Sequence, residues 1–306
     1  MPDAQTLSTA FSAAIRHTTQ KKVLANLRHD LVFADEAYAE QGEFDSGSDT
    51  ILFTNVPDLG YSTTPLTEGV RPAKRALSMG TVTIDTDQYG DLVSITDVAK
   101  VKSPLEVVNI GTERLSRQSK QVIDEITRDA IAGGGTAFLA DAVANRAALG
   151  SGNKADVADL KKLAWTMFKN SIPRFEDGFY RLFVSPEVAY DLGNDTAFID
   201  AFKYVDNTPL IKNEIGKIAG FRVMEVVNAP TFSSSVTVHA SLAVGAVKGW
   251  GAGELQTLDT YHVAPGGDHS DPLAQEELLG WKIMFGVAVL SNSYYMRYES
   301  AASSLS

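Results

Sequence analysis

The chain has 306 residues, 44% hydrophobic and 21% charged, a balance that supports a full buried core. It contains no cysteine, which excludes a disulfide framework, a thiolate zinc site and a thiol nucleophile. With 38 acidic against 27 basic side chains the formal charge is -11, which repels nucleic acid and phospholipid surfaces and argues against a dedicated DNA-binding module.

Met1 to Thr9 lacks the basic-then-apolar order of a secretory signal, and no window reaches the roughly 18 apolar residues of a membrane span, so the chain reads as made in the cytosol. From Leu7 to Tyr38 the apolar residues Leu7, Phe11, Ile15, Leu24, Leu27 and Leu31 recur at helical spacing on a thin stripe, the pattern of a docked helical arm. Pro57 to Gly80 has no period and holds Pro57, Gly60, Pro65, Gly69, Pro72 and Gly80, which predicts a long extended loop. It leads into Thr81 to Asp85 and then Leu92 to Thr96, two alternating runs separated by Asp87-Gln-Tyr-Gly-Asp91. With Gly90 supplying a positive φ, these predict a β-hairpin. An isolated hairpin is marginal in water, and its Pro/Gly-rich approach carries few apolar residues to hold it, so the expected support is a neighbouring molecule.

Ser103-Pro-Leu-Glu106 combines a Ser cap, Pro at the first helical position and Glu three residues after the cap, and predicts the start of a long helix. A break is expected near Gly111, and the end at Gly133-Gly-Gly135. At up to about 28 residues this helix would be on the order of 40 Å long, a spine. Val157, Leu160, Ala164, Met167 and Phe168 predict one face of a further helix, stopped before Pro173. Phe179 to Val184 reads as a strand, Ser185-Pro-Glu187 as a helix cap, and Asp195 as the cap of a helix through Tyr204. Gly220 to Val227, Val236 to Ala246 and Leu255 to Val263 read as strands, and Gly280 to Tyr298 as a long closing β run.

No constellation carries chemistry. His262 and His269 with Asp268 and Asp271 match no zinc spacing and read as a solvated loop. Gly133 to Gly135 follows a helix, so it presents no helix N-terminus to a phosphate, and Gly249-Trp-Gly-Ala-Gly253 lacks a dinucleotide spacing and reads as a turn. The carboxylate pairs Asp85 with Asp87 and Glu276 with Glu277 are the kind an acidic chain supplies by chance. Trp165, Trp250 and Trp281 read as core or contact residues. The expectation is no enzyme, no catalytic residue, no cofactor and no metal.

Taken in order, the segments are a helical arm, a long loop with a hairpin, a spine helix, a mixed α/β domain and a closing strand. Together with Leu66-Thr-Glu-Gly69, Gln88-Tyr-Gly-Asp-Leu-Val93 with Ile95-Thr-Asp97, Gln121-Val-Ile-Asp-Glu-Ile126, Ser185-Pro-Glu-Val-Ala-Tyr-Asp-Leu192 and Glu214-Ile-Gly-Lys-Ile-Ala-Gly-Phe-Arg-Val223, this order resembles the major capsid proteins of tailed bacteriophages. Those proteins share the Hong Kong 97-type fold, and the wording is closest to the branch typified by the major head protein of phage N-four. The resemblance implies an α+β capsid fold with an N-terminal arm over 1–54, an extended loop with hairpin over 55–98, a peripheral domain over 99–154 and 271–306, and an axial domain over 155–270.

The function implied is self-assembly, as pentamers and hexamers, into an icosahedral head shell of the virion that encloses double-stranded DNA without sequence-specific binding. A separate scaffolding protein and a portal protein are the expected partners, a decoration protein is left open, and no membrane is involved. The candidate inter-subunit contacts are Glu68, Gly69, Arg71 and Lys74 in the loop and Gln88, Tyr89, Gly90 and Asp91 at the hairpin turn. An encapsulin-like compartment and a hydrolase using scattered carboxylates are the competing readings. Deleting Leu59 to Lys100 is expected to leave a soluble subunit that forms no shells.

Overall fold

The computed structural model describes residues 32–33, 35, 38–42, 50–56, 59–60, 63–72, 74–102, 107–198, 214–267, 271 and 273–303. Nearly all of the expected helical arm, the Ser103 to Glu106 cap and the helix beyond residue 198 lie outside them.

Two long strands, β11 (Trp250–Val263) and β12 (Glu276–Val289), run antiparallel from Trp250 opposite Val289 to Val263 opposite Leu278. β4 (Asp87–Thr96) pairs with the other edge of β12, and β1 (Ala39–Gly42) lies parallel to β11, giving a first sheet of order β1-β11-β12-β4. Because side chains alternate along a strand, Leu279, Trp281, Ile283 and Phe285 of β12 share one face. There they pack with Leu115, Ile123 and Ile131 of the 27-residue helix α2 (Val107–Gly133). A short helix α1 (Asp97–Lys102) precedes it. The helix does not break at Gly111. A Cβ there would lie 3.2 Å from Leu279 Cδ1 and 3.4 Å from Ile95 Cδ1, so the missing side chain lets the helix approach the sheet.

The opposite face carries a ribbon of β2 (Thr50–Asn55) and β3 (Gly80–Asp85), paired antiparallel from Thr50 opposite Asp85 to Asn55 opposite Gly80. Its seat is a floor of glycine. Gly42, Gly253 and Gly286 fall in one row across β1, β11 and β12. A Cβ on Gly42 would meet Ile51 Cδ1 at 2.8 Å, one on Gly251 would meet Ile84 Cδ1 at 3.1 Å, and one on Gly286 would run into the Asp85 carbonyl oxygen. Glycine inside a strand is otherwise unfavourable, and here it permits backbone-to-backbone stacking.

The second sheet has the order β5-β13-β10-β6-β8-β7, with β9 paired to β10. Its strands are β5 (Thr136–Leu139), β6 (Tyr180–Val184), β7 (Glu214–Ile218), β8 (Phe221–Glu225), β9 (Thr231–Ser233), β10 (Thr237–Val244) and β13 (Tyr295–Ser300). One face packs Tyr180, Leu182, Phe221 and Val223 against Leu160, Leu163 and Met167 of α3 (Val157–Lys169) and Val188 and Leu192 of α4 (Pro186–Asn194). Asp156 caps α3 by accepting from Asp159 N–H at 2.7 Å, and Ser185 caps α4. From the other face Phe183, Leu242, Val244 and Tyr295 join the core beneath α2, which ties the two sheets together.

Phe33 pins the N-terminal segment into that core. Its ring is fully buried beside Phe183, its N–H donates to Asp124 Oδ1 at 3.1 Å, and its carbonyl accepts from Trp250 Nε1 at 3.1 Å. Burial pushes the Asp124 carboxyl up, while hydrogen bonds from Phe33, Asn228 and Val32 act against that shift. At the other end of α2, buried Arg297 donates from Nη1 to the carbonyls of Ala132 (2.5 Å) and Gly134 (2.6 Å), neutralising the negative end of the helix dipole. Glu299 accepts from Arg297 Nε at 2.7 Å and from Arg146 at 2.7 and 2.6 Å. Burial raises the Glu299 pKa, but the two arginines outweigh it and hold the carboxyl below its usual value of 4.5.

Several expectations are corrected. The hairpin is not Thr81 to Asp85 with Leu92 to Thr96: β3 returns on β2, β4 joins β12, and the chain changes layer at Thr86. Asp87 to Asp91 looks like a turn in isolation, yet its pairing with β12 holds it extended, and Gly90 sits opposite Lys282 without a positive φ. The closing run is two strands in different sheets. Trp250 to Gly253 opens β11 and is not a turn. Phe168, expected on the buried face of α3, is 67% exposed. The sheets also cut across the expected domain ranges, since β2 straddles residue 54 and β11 pairs across residue 270 with β12. The segment Leu59 to Lys100 contains β3 and β4, with Ile84 and Ile95 buried, so its deletion removes part of the subunit's own core.

Gly286→Ala is expected to lower stability by about 1–3 kcal/mol through overpacking, read as a fall in urea midpoint at unchanged slope. Gly152→Ala, which meets open space, leaves the midpoint in place. Glu299→Gln removes the carboxylate that pairs with the buried Arg297 guanidinium and the partly exposed Arg146, and is expected to cost about 3 kcal/mol at neutral pH. Because the folded carboxyl titrates below its ordinary value, its contribution is full above about pH 4.5 and is lost as pH falls further. The wild type and Glu299→Gln urea midpoints therefore converge in acid.

Candidate assembly surface

Asn55 faces Gly80 at the end of the ribbon, so residues 56–79 are the loop of the β2–β3 hairpin. Within it Thr67 O accepts from Val70 N–H at 3.1 Å, and Gly69 takes φ +78°, making a tight turn at the centre of the loop. Gly60 and Arg75 lie side by side on its two legs. Every residue described from 63 to 79 is exposed, including Leu66, Val70, Leu77 and Met79, each 63–74% exposed. Arg71, Lys74 and Arg75 against Glu68 make this stretch basic on an acidic chain. Four large apolar side chains and three cations held in water on an extended segment are poor economy for a lone subunit and suit a segment that docks elsewhere.

Gln88, Tyr89, Gly90 and Asp91 lie instead on β4, an edge strand of the first sheet. Asp91 accepts from Leu92 N–H at 2.8 Å and from Gln118 of α2. These bonds hold its carboxyl below the ordinary value, Gln118 contributing most. Burial, and then the Asp87 charge, raise the Tyr89 phenol. The expected contacts thus form two groups on different elements: Glu68, Gly69, Arg71 and Lys74 on the loop, and Gln88 to Asp91 on the sheet. Reading the sequence missed Leu92, Tyr261 and Lys282, which share the outer face of that sheet around Gly280; a glycine within a strand run was the available signal.

Elsewhere, polar clusters have structural geometry. Ser185 Oγ lies 2.9 Å from His239 Nδ1, with Glu187 Oε2 3.9 Å from the same nitrogen, so hydroxyl and carboxylate meet one side of the ring and no proton relay runs through it. Burial holds His239 below its usual pKa, against the opposing Glu187 and Asp191 charges. Glu276 is exposed and accepts from Ser94 Oγ at 3.0 Å, whereas Glu277 is buried, ion-paired to Lys100 and 2.5 Å from His262 Nε2. The pair points to opposite faces of β12. His262 is in β11, not in a loop, and Asp268 and His269 lie outside the described residues. No group of three or more potential metal ligands occurs among the described residues. No helix there is long and apolar enough to cross a membrane.

This architecture is that of the Hong Kong 97-type shell proteins. The capsid of cyanophage P-SCSP1u matches with a TM-score of 0.67 at 18% identity, covering 90% of each chain. The capsid of Ralstonia phage GP4 matches at 0.68 and 14%, covering 89% of this chain and 87% of that one. The capsid of cyanophage Pam1 matches at 0.66 and 14%, covering 85% and 88%. The model of the phage capsid protein family matches residues 80–295, and the chain belongs to that family. It is a major capsid protein, the building block of a phage head shell. No curated protein matches the sequence.

Exposed loops are cut first by proteases. Brief trypsin treatment of the isolated subunit is expected to cut first after Lys74 and Arg75, with the sites identified by mass spectrometry, and assembled shells are expected to resist at both.

Proposed function

We propose that the chain closes, as pentamers and hexamers, into an icosahedral head around double-stranded DNA, assembled in the host cytoplasm with separate scaffolding and portal proteins, and that it catalyses no reaction. The observation that carries this reading is the loop over residues 56–79, whose described residues are all exposed, with Leu66, Val70, Leu77 and Met79 among them, on an otherwise well-packed subunit. A closed shell requires head-to-tail contacts whose rotations close, and a subunit that reaches beyond its own body fixes its neighbour's position. Individual contacts stay modest because attachment to several neighbours makes loss of one subunit slow. Net acidity suits a lining around packed DNA that must later leave.

In this reading the unit built on the first sheet and α2 is peripheral, and the unit built on the second sheet with α3 and α4 meets its copies around the axes. Glu68, Gly69, Arg71 and Lys74 reach the neighbour, and Gln88 to Asp91 lie on the surface that receives one.

Negative-stain electron microscopy of the protein, purified alone and with its scaffold, is expected to show uniform hollow particles or rings of five and six. Strictly monomeric protein in both cases overturns the reading. Replacing residues 56–79 by Asn-Gly, which closes the hairpin at the Asn55–Gly80 pair with a two-residue turn, is expected to leave a folded subunit with a cooperative melt that forms no particles. Particles from this variant would remove the loop from the assembly contacts.

A further inference from the structure

The exposed residues of α3 are Ala158, Lys161, Lys162, Trp165, Phe168 and Lys169. Three cations and two large aromatic rings thus share its outer face, and no carboxylate does, since Asp159 is buried and turned to Lys162 at 2.7 Å. On a chain of formal charge -11 such a face stands out. Lys161, Trp165, Phe168 and Lys169 follow at helical spacing and form one stripe. Lys169 Nζ lies 5.4 Å from the Trp165 ring centroid and the Arg174 guanidinium 5.8 Å from that of Phe168, so each ring has a cation beside it. The core beneath is already complete, filled by Leu160, Leu163, Ala164 and Met167. Trp165, 64% exposed, and Phe168 add nothing to it.

We propose that this face docks a partner protein other than the capsid chain, through an acidic segment that also carries apolar side chains. The inference goes beyond the shell reading and holds for the subunit alone. Uncovered large apolar side chains grouped on one helix face mark an interaction surface, and tryptophan is the side chain whose burial most often anchors an interface. Lys161, Lys169 and Arg174 around the rings select carboxylates on the partner. Duplex DNA satisfies only half of this chemistry: its phosphates suit the cations, but its bases are stacked inside and leave Trp165 and Phe168 without a partner. The exposed apolar loop of a second copy carries Arg71, Lys74 and Arg75 and is repelled by the same cations.

Fluorescence anisotropy with the full-length subunit tests the proposal. The probe is a labelled helical peptide of Glu, Ala and Leu, compared with polyglutamate and oligothymidylate carrying the same label. The peptide is expected to bind more tightly than either polyanion, and less tightly as salt rises. Trp165→Ala/Phe168→Ala and Lys161→Glu/Lys169→Glu are each expected to weaken it about tenfold. Arg114→Glu/Arg117→Glu, which makes the same charge change on the exposed face of α2, leaves it unchanged. A cooperative melt checks that each variant is folded. No peptide binding overturns the proposal. Equal or tighter binding of oligothymidylate assigns the face to nucleic acid, and equal binding of polyglutamate removes the rings from it; either result also overturns it. Loss of particles in Trp165→Ala/Phe168→Ala makes the face a contact between copies, with the same consequence. A wild type that binds the peptide as expected but forms no particles overturns the shell reading and leaves this one standing.

Discussion

Strand β12 is packed on both faces at once, and the rest of the subunit is arranged around that demand. On one side it needs large apolar residues to meet α2. On the other, beneath the β2–β3 ribbon, it needs a bare position, because at Gly286 the Asp85 backbone lies directly on the strand. Alternation along a strand lets one sequence serve both: Leu279, Trp281, Ile283 and Phe285 in one direction, Gly280 and Gly286 in the other. The same strand supplies the ladder that turns Asp87 to Asp91 from an apparent turn into an edge strand.

The long helix is held at three points by different physics. Gly111 lets its first turns touch the sheet, Asp124 and Phe33 fasten the N-terminal segment across its middle, and Arg297 answers its C-terminal dipole. The last contact is specified tightly, since Gly134 and Gly135 leave just enough room for Tyr295, whose hydroxyl donates to the Ile131 carbonyl at 2.9 Å. Buried charge at that end is tolerated because Arg297, Glu299 and Arg146 satisfy one another. Anchored in this way, the helix shares one core with residues of both sheets.

Against this packed body, the 56–79 loop is the exception, its described residues all exposed. Its turn at Thr67 to Val70 is set locally by Gly69, but its apolar residues contribute nothing to the stability of the lone subunit. An element that costs order and exposes hydrophobic surface has to be compensated by burial elsewhere. In a family whose members build head shells, the neighbouring copy is where that burial is available.

The sequence by itself determined the signals that act over a few residues. The helix α3 ahead of Pro173, the capped start of α4, the glycine stop of α2, the extended loop and the strands around Phe179, Gly220 and Val236 were legible because caps, proline and short-range periodicity decide them. The family was legible too, in ordered stretches from Leu66 to Val223. Only the tertiary structure decided which strands pair. Whether Gly90 turns or extends depends on β12, nearly two hundred residues away, and whether Gly111 breaks a helix depends on Leu279. Phe168 has the helical spacing of a core residue and nevertheless faces solvent, because periodicity places residues on a face without saying what covers it. Long-range pairing and coverage are properties of the assembled layers, and no local rule in the chain encodes them.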